Sequence, residues 1–435
     1  MMPMRWLCLT GLPLLFTAAL AAQTPTFSPA ESVNANLPKW FQINGDYRMR
    51  FEGYSGGSFK PDTTDAYILG RLRLGLTIRP ASWLRFYAEG QDARAYEKQP
   101  AVPPFQNTWD IRQGFVELGD SDKGMFGLRV GRQEINFGDQ RVVGSSPWTN
   151  AGRSFDAVRG TFNKDGYRLD IFSASVVNAV DGTWDHHQDG NDFHGVHLET
   201  RRWIPKASVE PYVYWRVQPG LKNESGILSR LNEKIPGVRI IGKLPRDFDY
   251  EAEMLKETGS LGTDSIHAWG GHWAVGHTSP KARLAPRVWV EYNYASGDAN
   301  PKDGIRGSFD QIYPTAHDKT GLADQVGWKN TRDFRTGVGI KPAKAWTATL
   351  AYNNWYLASP FDGVYTTSGT LIARSANGTA GTHVGQEIDF QVAWSILKPL
   401  TANAGFGHIS PGEFLKVTTP GKSYNYPFLM LGYRF

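Results

Sequence analysis

The sequence predicts a closed, transmembrane antiparallel β-barrel of about 18 strands, on three observations. From residue 40 onward side chains alternate apolar and polar with a period of two, short turns alternate with long polar connections, and the chain stops on an alternating strand at an aromatic, Phe435. After the first 22 residues no apolar run of about 18 residues follows, so no membrane helix is available. A mean hydropathy of −0.41 suits a barrel, because only alternate residues of each strand meet lipid.

Residues 1–22 read as a secretory signal peptide: Arg5 precedes an apolar run from Trp6 to Leu20 that closes on Ala21 and Ala22. The one cysteine, Cys8, lies within it, so the exported chain is expected to hold no thiol, disulfide or thiolate metal site. Residues 23–38 are a polar, Pro-containing lead-in, expected to be mobile, and 39–435 form the barrel.

The first strand sets Phe41, Ile43, Gly45, Tyr47, Met49 and Phe51 on one face against Gln42, Asn44, Asp46, Arg48, Arg50 and Glu52 on the other. No amphipathic helix gives that pattern. The second repeats it, with Ile68, Gly70, Leu72, Leu74, Leu76 and Ile78 opposite Tyr67, Arg71, Arg73, Thr77 and Arg79. A turn at 80–82 leads into a third, where Leu84, Phe86 and Ala88 alternate with Arg85, Tyr87 and Glu89.

Further short turns are expected at 120–123, 163–166, 202–207, 245–247, 279–285, 342–345 and 398–400. Long connections are expected near 55–66, 96–108, 136–153, 178–191, 218–233, 259–265, 297–331, 357–382 and 410–422. Eight turns and nine loops join 18 strands and bring both chain ends to the short-turn rim. At the end of the chain Leu429, Leu431, Tyr433 and Phe435 alternate with Met430, Gly432 and Arg434, and the terminal aromatic looks like the signal that barrel-assembly machinery reads. Trp40, Trp83, Trp109, Trp203, Trp215, Trp346 and Trp394 fall near strand ends, which suits interfacial girdles more than sugar stacking inside a pore.

About 18 strands enclose more space than side chains fill, so an aqueous lumen is expected unless loops enter it. Its wall would carry Arg48, Arg50, Arg71, Arg73, Arg79, Arg85, Arg159, Arg168, Arg335 and Lys341, with Asp46, Glu52, Glu89, Asp170, Glu291, Glu387 and Asp389 among them. The net charge of +5, from 47 Lys and Arg against 42 Asp and Glu, defines no substrate. The second strand alone offers Arg71, Arg73 and Arg79 on one face without an acid, a row that can grip carboxylates or phosphates with paired hydrogen bonds. Single arginines could instead brace the wall by pairing with acids across strands. As a group they point to an anion path.

The run Gly131-Arg132-Gln133-Glu134-Ile135-Asn136-Phe137-Gly138-Asp139-Gln140-Arg141 leads to Trp148-Thr149-Asn150-Ala151-Gly152-Arg153-Ser154-Phe155-Asp156-Ala157-Val158-Arg159. This resembles the signature segment of the alginate-export porins. A second segment, Tyr292-Asn293-Tyr294-Ala295-Ser296-Gly297-Asp298 with Asn300-Pro301, Phe309 and Tyr313-Pro314-Thr315 beyond it, is similar to another shared stretch. The resemblance implies an 18-stranded barrel whose lumen is narrowed by loops and arginines and which selects an anionic uronate polymer without ATP or cofactor. It carries over Arg132, Asp139, Arg141, Arg153, Asp156 and Arg159 as constriction or loop-anchoring residues. A loop holding both signs of charge can fold into a wide lumen and pair with its wall, and the same ion pairs could serve only to brace the loop. Ser145-Ser146-Pro147 stands where the family usually has an acidic residue before the Trp, so the fold transfers better than the polymer's identity.

Other constellations count for less. Asp181, Asp185, His186, His187, Asp189, Asp192, His194 and His197 crowd one stretch, but His194 and His197 face opposite sides of a strand. Residues 298–304 offer hard oxygens without EF-hand spacing. Gly-x-Ser-x-Gly, phosphate-loop and His-Glu-x-x-His motifs are missing, and no enzyme, cofactor or metal is expected.

The expectation is therefore an outer-membrane channel, monomeric, for passive export of an anionic polysaccharide such as alginate, with Arg71, Arg73, Arg141 and Arg159 as leading contacts. Its partners would be that polymer, outer-membrane lipid and lipopolysaccharide, and periplasmic export components, with no nucleic acid. The alternative is a substrate-specific uptake porin for small anions or oligosaccharides, and a third is a structural barrel with a plugged lumen.

Overall fold

The computed structural model describes residues 29–435. The expected signal peptide, with Cys8, lies outside them. Along the chain come helix α1 (Pro29–Asn36) and strands β1 (Phe41–Ser55), β2 (Thr64–Ala81), β3 (Leu84–Tyr96), β4 (Asn107–Gly119), β5 (Phe126–Gln133), β6 (Phe155–Lys164) and β7 (Tyr167–Asn178). Then follow β8 (His186–Thr200), β9 (Ala207–Lys222), β10 (Leu228–Lys243), β11 (Phe248–Leu261), β12 (Asp264–Thr278), β13 (Arg287–Ala295) and the short β14 (Ile305–Arg306). The chain finishes with β15 (Thr331–Ala343), β16 (Trp346–Leu357), a loop hairpin of β17 (Gly363–Tyr365) and β18 (Leu371–Arg374), β19 (His383–Ser395), β20 (Leu400–Pro411), helix α2 (Glu413–Thr418) and β21 (Tyr424–Arg434).

Leaving out β14, β17 and β18, the other 18 strands pair antiparallel with their chain neighbours, and β21 pairs with β1 to close the ring. Closure leaves no strand edge in lipid, where an unpaired amide would find no partner. The terminal residue completes the seam: the Phe435 and Gly45 backbones exchange hydrogen bonds of 2.8 and 2.9 Å. Below that point β21 has run out, and the Asn34 side chain takes its place by accepting from Ile43 N (2.8 Å) and donating to Ile43 O (2.7 Å). Part of the lead-in is thus docked as α1.

All eight turns expected to be short are short, two to eight residues each. Two connections expected to be long are not: β9 and β10 leave only 223–227 between them, and β11 and β12 only 262–263. These strands run to 14–16 residues, beyond the 9–11 or so that cross a bilayer, and above the lipid neither face need be apolar, so alternation fades before the strand ends.

The two faces follow the period. Met49, Ile388 and Leu429 point out and are about half exposed, while Arg48, Arg50 and Glu52 point in and are buried. Outward Trp40, Trp83 and Trp203 at the short-turn rim and Trp109 and Trp215 towards the long-loop rim make the girdles, and Trp346 stacks on Trp394 at 4.8 Å. Arg79 and Lys341, expected in the lumen, are exposed at the short-turn rim, where the pairing slips after Ile78 and Ile340.

The larger correction concerns the interior. Alternate residues do not face water throughout: inward Phe155, Phe172, Phe193, Tyr214, Ile235 and Leu255 form an apolar cluster with Ile135, Val142 and Val143 of loop 134–154 and Phe309, Tyr313 and Trp328 of loop 296–330. A second cluster joins Trp355, Ile409, Tyr424 and Phe428 of the wall to Leu322 and Val326 of loop 296–330 and to Phe414 of α2. The loop side of the barrel is filled by these two loops, whose apolar side chains leave water against wall positions that match them.

Candidate functional site: the loop-narrowed lumen

Loops 134–154 and 296–330 behave as one body. Val143 and Tyr313 form a parallel bridge, with Gly144 N donating to Tyr313 O (2.8 Å) and Tyr313 N to Val142 O (3.2 Å). Thr315 N donates to Gln140 O (2.8 Å), and the Arg153 guanidinium donates to Gly144 O and Pro314 O, both at 2.9 Å. Burial lowers the pKa of Arg153 to about 10. Bound to one carbonyl of each loop, it is a staple between them.

This body is held by two differently charged walls. On one, Arg48 donates to Pro147 O (2.7 Å), Thr149 O (3.3 Å) and Asn150 Oδ1 (3.1 Å). Beside it Arg50 donates to Trp148 O (2.5 Å) and pairs with Glu52, while Arg71 donates to Pro147 O (3.0 Å) and pairs with Asp46 (3.1 Å). Arg73 donates from Nε to Gln91 Oε1 (2.8 Å), and Gln91 in turn holds Ala151 O (2.9 Å). Gly152 adopts φ +72°, a left-handed conformation that favours glycine, where the loop passes over the Arg112 and Arg73 guanidinium groups.

On the other wall Arg141 reaches Glu291 (3.2 Å) and its own loop's Asp139 (3.4 Å), and Lys319 pairs with Asp139 (3.0 Å). Burial alone would raise the Asp139 carboxyl, but Arg141 and Lys319 overcome it and hold it well below the usual range. Asp310 is treated likewise, its burial outweighed by Arg216 and Lys329.

The loop body meets the seam at an aromatic stack. The rings of Trp148 and His317 stack at 3.6 Å, 4° from parallel, the Arg50 guanidinium lies 3.8 Å from the Trp148 ring centre, and His317 Nδ1 sits 2.7 Å from Asp324 Oδ2. A vestibule of about 280 Å³ on the loop side is lined by Pro104, Arg153, Asp310 and Thr367 as well as by Trp148 and His317. A cavity of about 480 Å³ on the short-turn side shares those two rings and adds Arg48, Arg71, Lys398 and Arg434 against Asp46. The stacked pair is the partition between them.

The sequence-predicted residues therefore separate. Arg48 and Arg71 reach the cavity, and Arg50 lies against the partition. Asp139, Arg141 and Arg153 brace the loops, and Arg159 pairs with Asp170 (2.9 Å) behind Phe137. Arg73 lies buried beneath loop 134–154. Arg132 and Asp156 pair with each other (2.8 Å) at positions whose strand neighbours Val130 and Val158 face outward, so they stand on the outer face and line no constriction. His194 and His197 point to opposite faces, the latter inward to Tyr214 Oη at 2.9 Å. Asp298 accepts the Asn300 amide within its loop, and no group of three or more metal-ligating side chains occurs among the described residues.

His317, Lys398 and Arg434 were missed, and Trp148 was seen only as part of a signature. His317 and Lys398 lie in connections, where period two says nothing about direction.

The family model described as alginate export matches residues 39–428. In fold the barrel is similar to the Pseudomonas aeruginosa porin OpdO, with a TM-score of 0.61 at 10% identity over 92% of this chain and 99% of that one. It is similar also to OpdQ of that organism, at 0.61 and 11% over 91% and 97%, and to its OpdK solved with vanillate, at 0.61 and 9% over 90% and 98%. Among curated protein sequences none matches. Family and fold are those of a channel of the bacterial outer membrane.

Proposed function

This chain belongs to the alginate-export family, and we propose that it exports an anionic polysaccharide such as alginate passively, through the partition between Trp148, His317 and the arginines of the seam. One observation carries the proposal: an aromatic stack and guanidinium groups meet where two cavities adjoin, with Arg48, Arg71, Lys398 and Arg434 outnumbering Asp46 in the cavity on the short-turn side. Trp148, covered by His317 and Arg50, gives the passage a rigid edge, and uronate carboxylates pass between cations. Several weak contacts serve conduction better than one tight one, because the polymer must leave as readily as it enters. Arg73, Arg141 and Arg159, each already engaged, act in this scheme by holding the walls and loops, not by touching the polymer.

In a planar bilayer the channel should prefer anions and be blocked by added polyuronate. Arg48→Glu with Arg71→Glu should turn it towards cations, and unchanged selectivity would defeat the assignment.

The alternative of inward transport of small anions or oligosaccharides draws on one feature, the small vestibule, which suits a compact solute. OpdK, alike in fold, was solved with the small carboxylate vanillate. A deletion strain separates the two: lost export traps polymer in the periplasm, and lost uptake slows growth on one nutrient.

A further inference from the structure

Nine strands around the ring from β1, the short-turn mouth holds a second recess that shares no residue with the partition. At about 700 Å³ it exceeds the cavity below Trp148 and falls within the usual range for small-ligand sites. It lies inside β9–β13, and its charged lining is Arg201, Lys206, Lys243 and Arg287 against Asp249 and Glu251, with Ile241 and Ala274 as an apolar floor.

Both acids are already taken. Asp249 accepts two hydrogen bonds from Arg287, at 2.5 and 2.7 Å, and Glu251 accepts one from Arg239 Nε at 2.7 Å. Arg201 leans on Glu199 at 3.5 Å, and Lys243 stands 3.6 Å from the Asp249 carboxylate that Arg287 grips. Lys206 pairs with no carboxylate among the described residues. The charges left facing the recess are therefore two ammonium groups and the outer guanidinium. Ammonium groups are hydrated point charges on flexible stems, suited to weak and exchangeable contact with a carboxylate where Arg would grip.

We propose that this recess is a loading site, where one or two carboxylate-bearing sugar units of the outgoing polymer are held before the chain reaches the partition. The inference rests on the export reading, because a polymer leaving the cell meets this mouth first and an incoming solute meets it last. Its contribution is to the rate of capture: a cleft with an excess of one sign of charge, four cations against two acids here, concentrates its counter-ion and speeds association.

The test uses the full barrel in a planar bilayer with alginate hexasaccharide added to one side at a time, comparing wild type, Lys206→Glu with Lys243→Glu, and Lys206→Arg with Lys243→Arg. Blocking events from the short-turn side should become about tenfold rarer in the double Glu variant and stay near wild type in the double Arg variant. Unitary conductance and block from the loop side should not change. Equal capture by wild type and double Glu variant, or loss of block from both sides alike, would overturn the recess and leave export standing. No block of the wild type from either side would overturn both.

Discussion

Two arcs of the same wall carry opposite charge and hold opposite sides of a peptide. On the β1–β2 arc Arg48, Arg50 and Arg71 donate to the carbonyls of Pro147, Trp148 and Thr149, so loop 134–154 shows this arc its acceptors. On the β11–β19 arc Glu257 accepts Asp310 N (3.0 Å), Glu387 accepts Ala323 N (2.7 Å) and Asp389 accepts Leu322 N (3.3 Å), so loop 296–330 shows that arc its donors. A row of like charges on a barrel wall is thus a cradle for loop backbone before it is a track for solute. What remains for solute is the part of the cradle that still faces a cavity, Arg48 and Arg71 below Trp148, together with the cations near the mouths that no loop uses.

The sharpest way to break this comparison is to remove the guanidinium cradle. Arg48→Ala with Arg71→Ala deletes every hydrogen bond from those two side chains to residues 147–150, each a charge-assisted contact worth about 1.5–3 kcal/mol. Loop 134–154 should leave the seam, and single-channel conductance should at least double, roughly, because wide pores discriminate only where they are constricted. An unchanged conductance would mean that the remaining holds, Arg50 on Trp148 O, Gln91 on Ala151 O and the junction with loop 296–330, keep loop 134–154 in place.

The carboxylate arc should give a smaller effect in a different readout. Arg141→Met leaves Glu291 with His272 at 3.4 Å and Asn293 at 2.8 Å, and Asp139 with Lys319 and the backbone amide of residue 141. Removing one member of a buried pair costs about 3–5 kcal/mol when nothing replaces it, and these remaining partners should keep the loss below that. The expected outcome is a lower unfolding temperature in detergent with a modest rise in conductance, since the guanidinium arc still holds the loop.

Much of this was legible in the sequence, and the limit has a physical form. Period two fixes which way a strand residue points, so Arg48, Arg50, Arg71 and Arg159 were placed on the inner face from alternation alone, and the turn asymmetry yielded the strand number. It cannot say what stands across the lumen. That Arg48 meets Pro147 O, 99 residues away, depends on where a loop returns, and loops carry no period. Arg132 and Asp156 show the same gap from the other side: their own strands, β5 and β6, set them outward by parity, but the signature that named them was read as one unit with the loop between. The apolar interior escaped because Phe155, Phe172 and Phe193 share their inward faces with the polar Arg159, Asp170 and His197, so no whole strand face reads as apolar.

Acidification should leave the comparison intact over most of the range. Asp139 titrates well below the ordinary carboxylate value when folded, so its contribution is present above the unfolded pKa of about 3.9 and is lost only as pH falls through its lowered folded value. Asp310 follows the same sign. Conductance should therefore hold steady from pH 7 to about 4. A channel that opens within that range would mean that these two carboxylates do not control the loop body.

The smallest effect belongs to the pair on the outer face. Arg132 meets Asp156 through Nε at 2.8 Å and Nη2 at 3.2 Å, with His187 also on Asp156 at 3.0 Å and the carboxylate 29% exposed. Arg132 also donates to the Ile111 and Asp185 carbonyls, so it keeps acceptors when Asp156 changes, and the pair lies on the far side of the wall from the lumen. Asp156→Asn keeps a carbonyl for Arg132 and should shift the unfolding temperature little and conductance and selectivity not at all. A changed selectivity would mean that charge on the lipid side of β6 is felt through a single sheet by the lumen, and the division of labour between the arcs would then have to include the outer face as a third source of field.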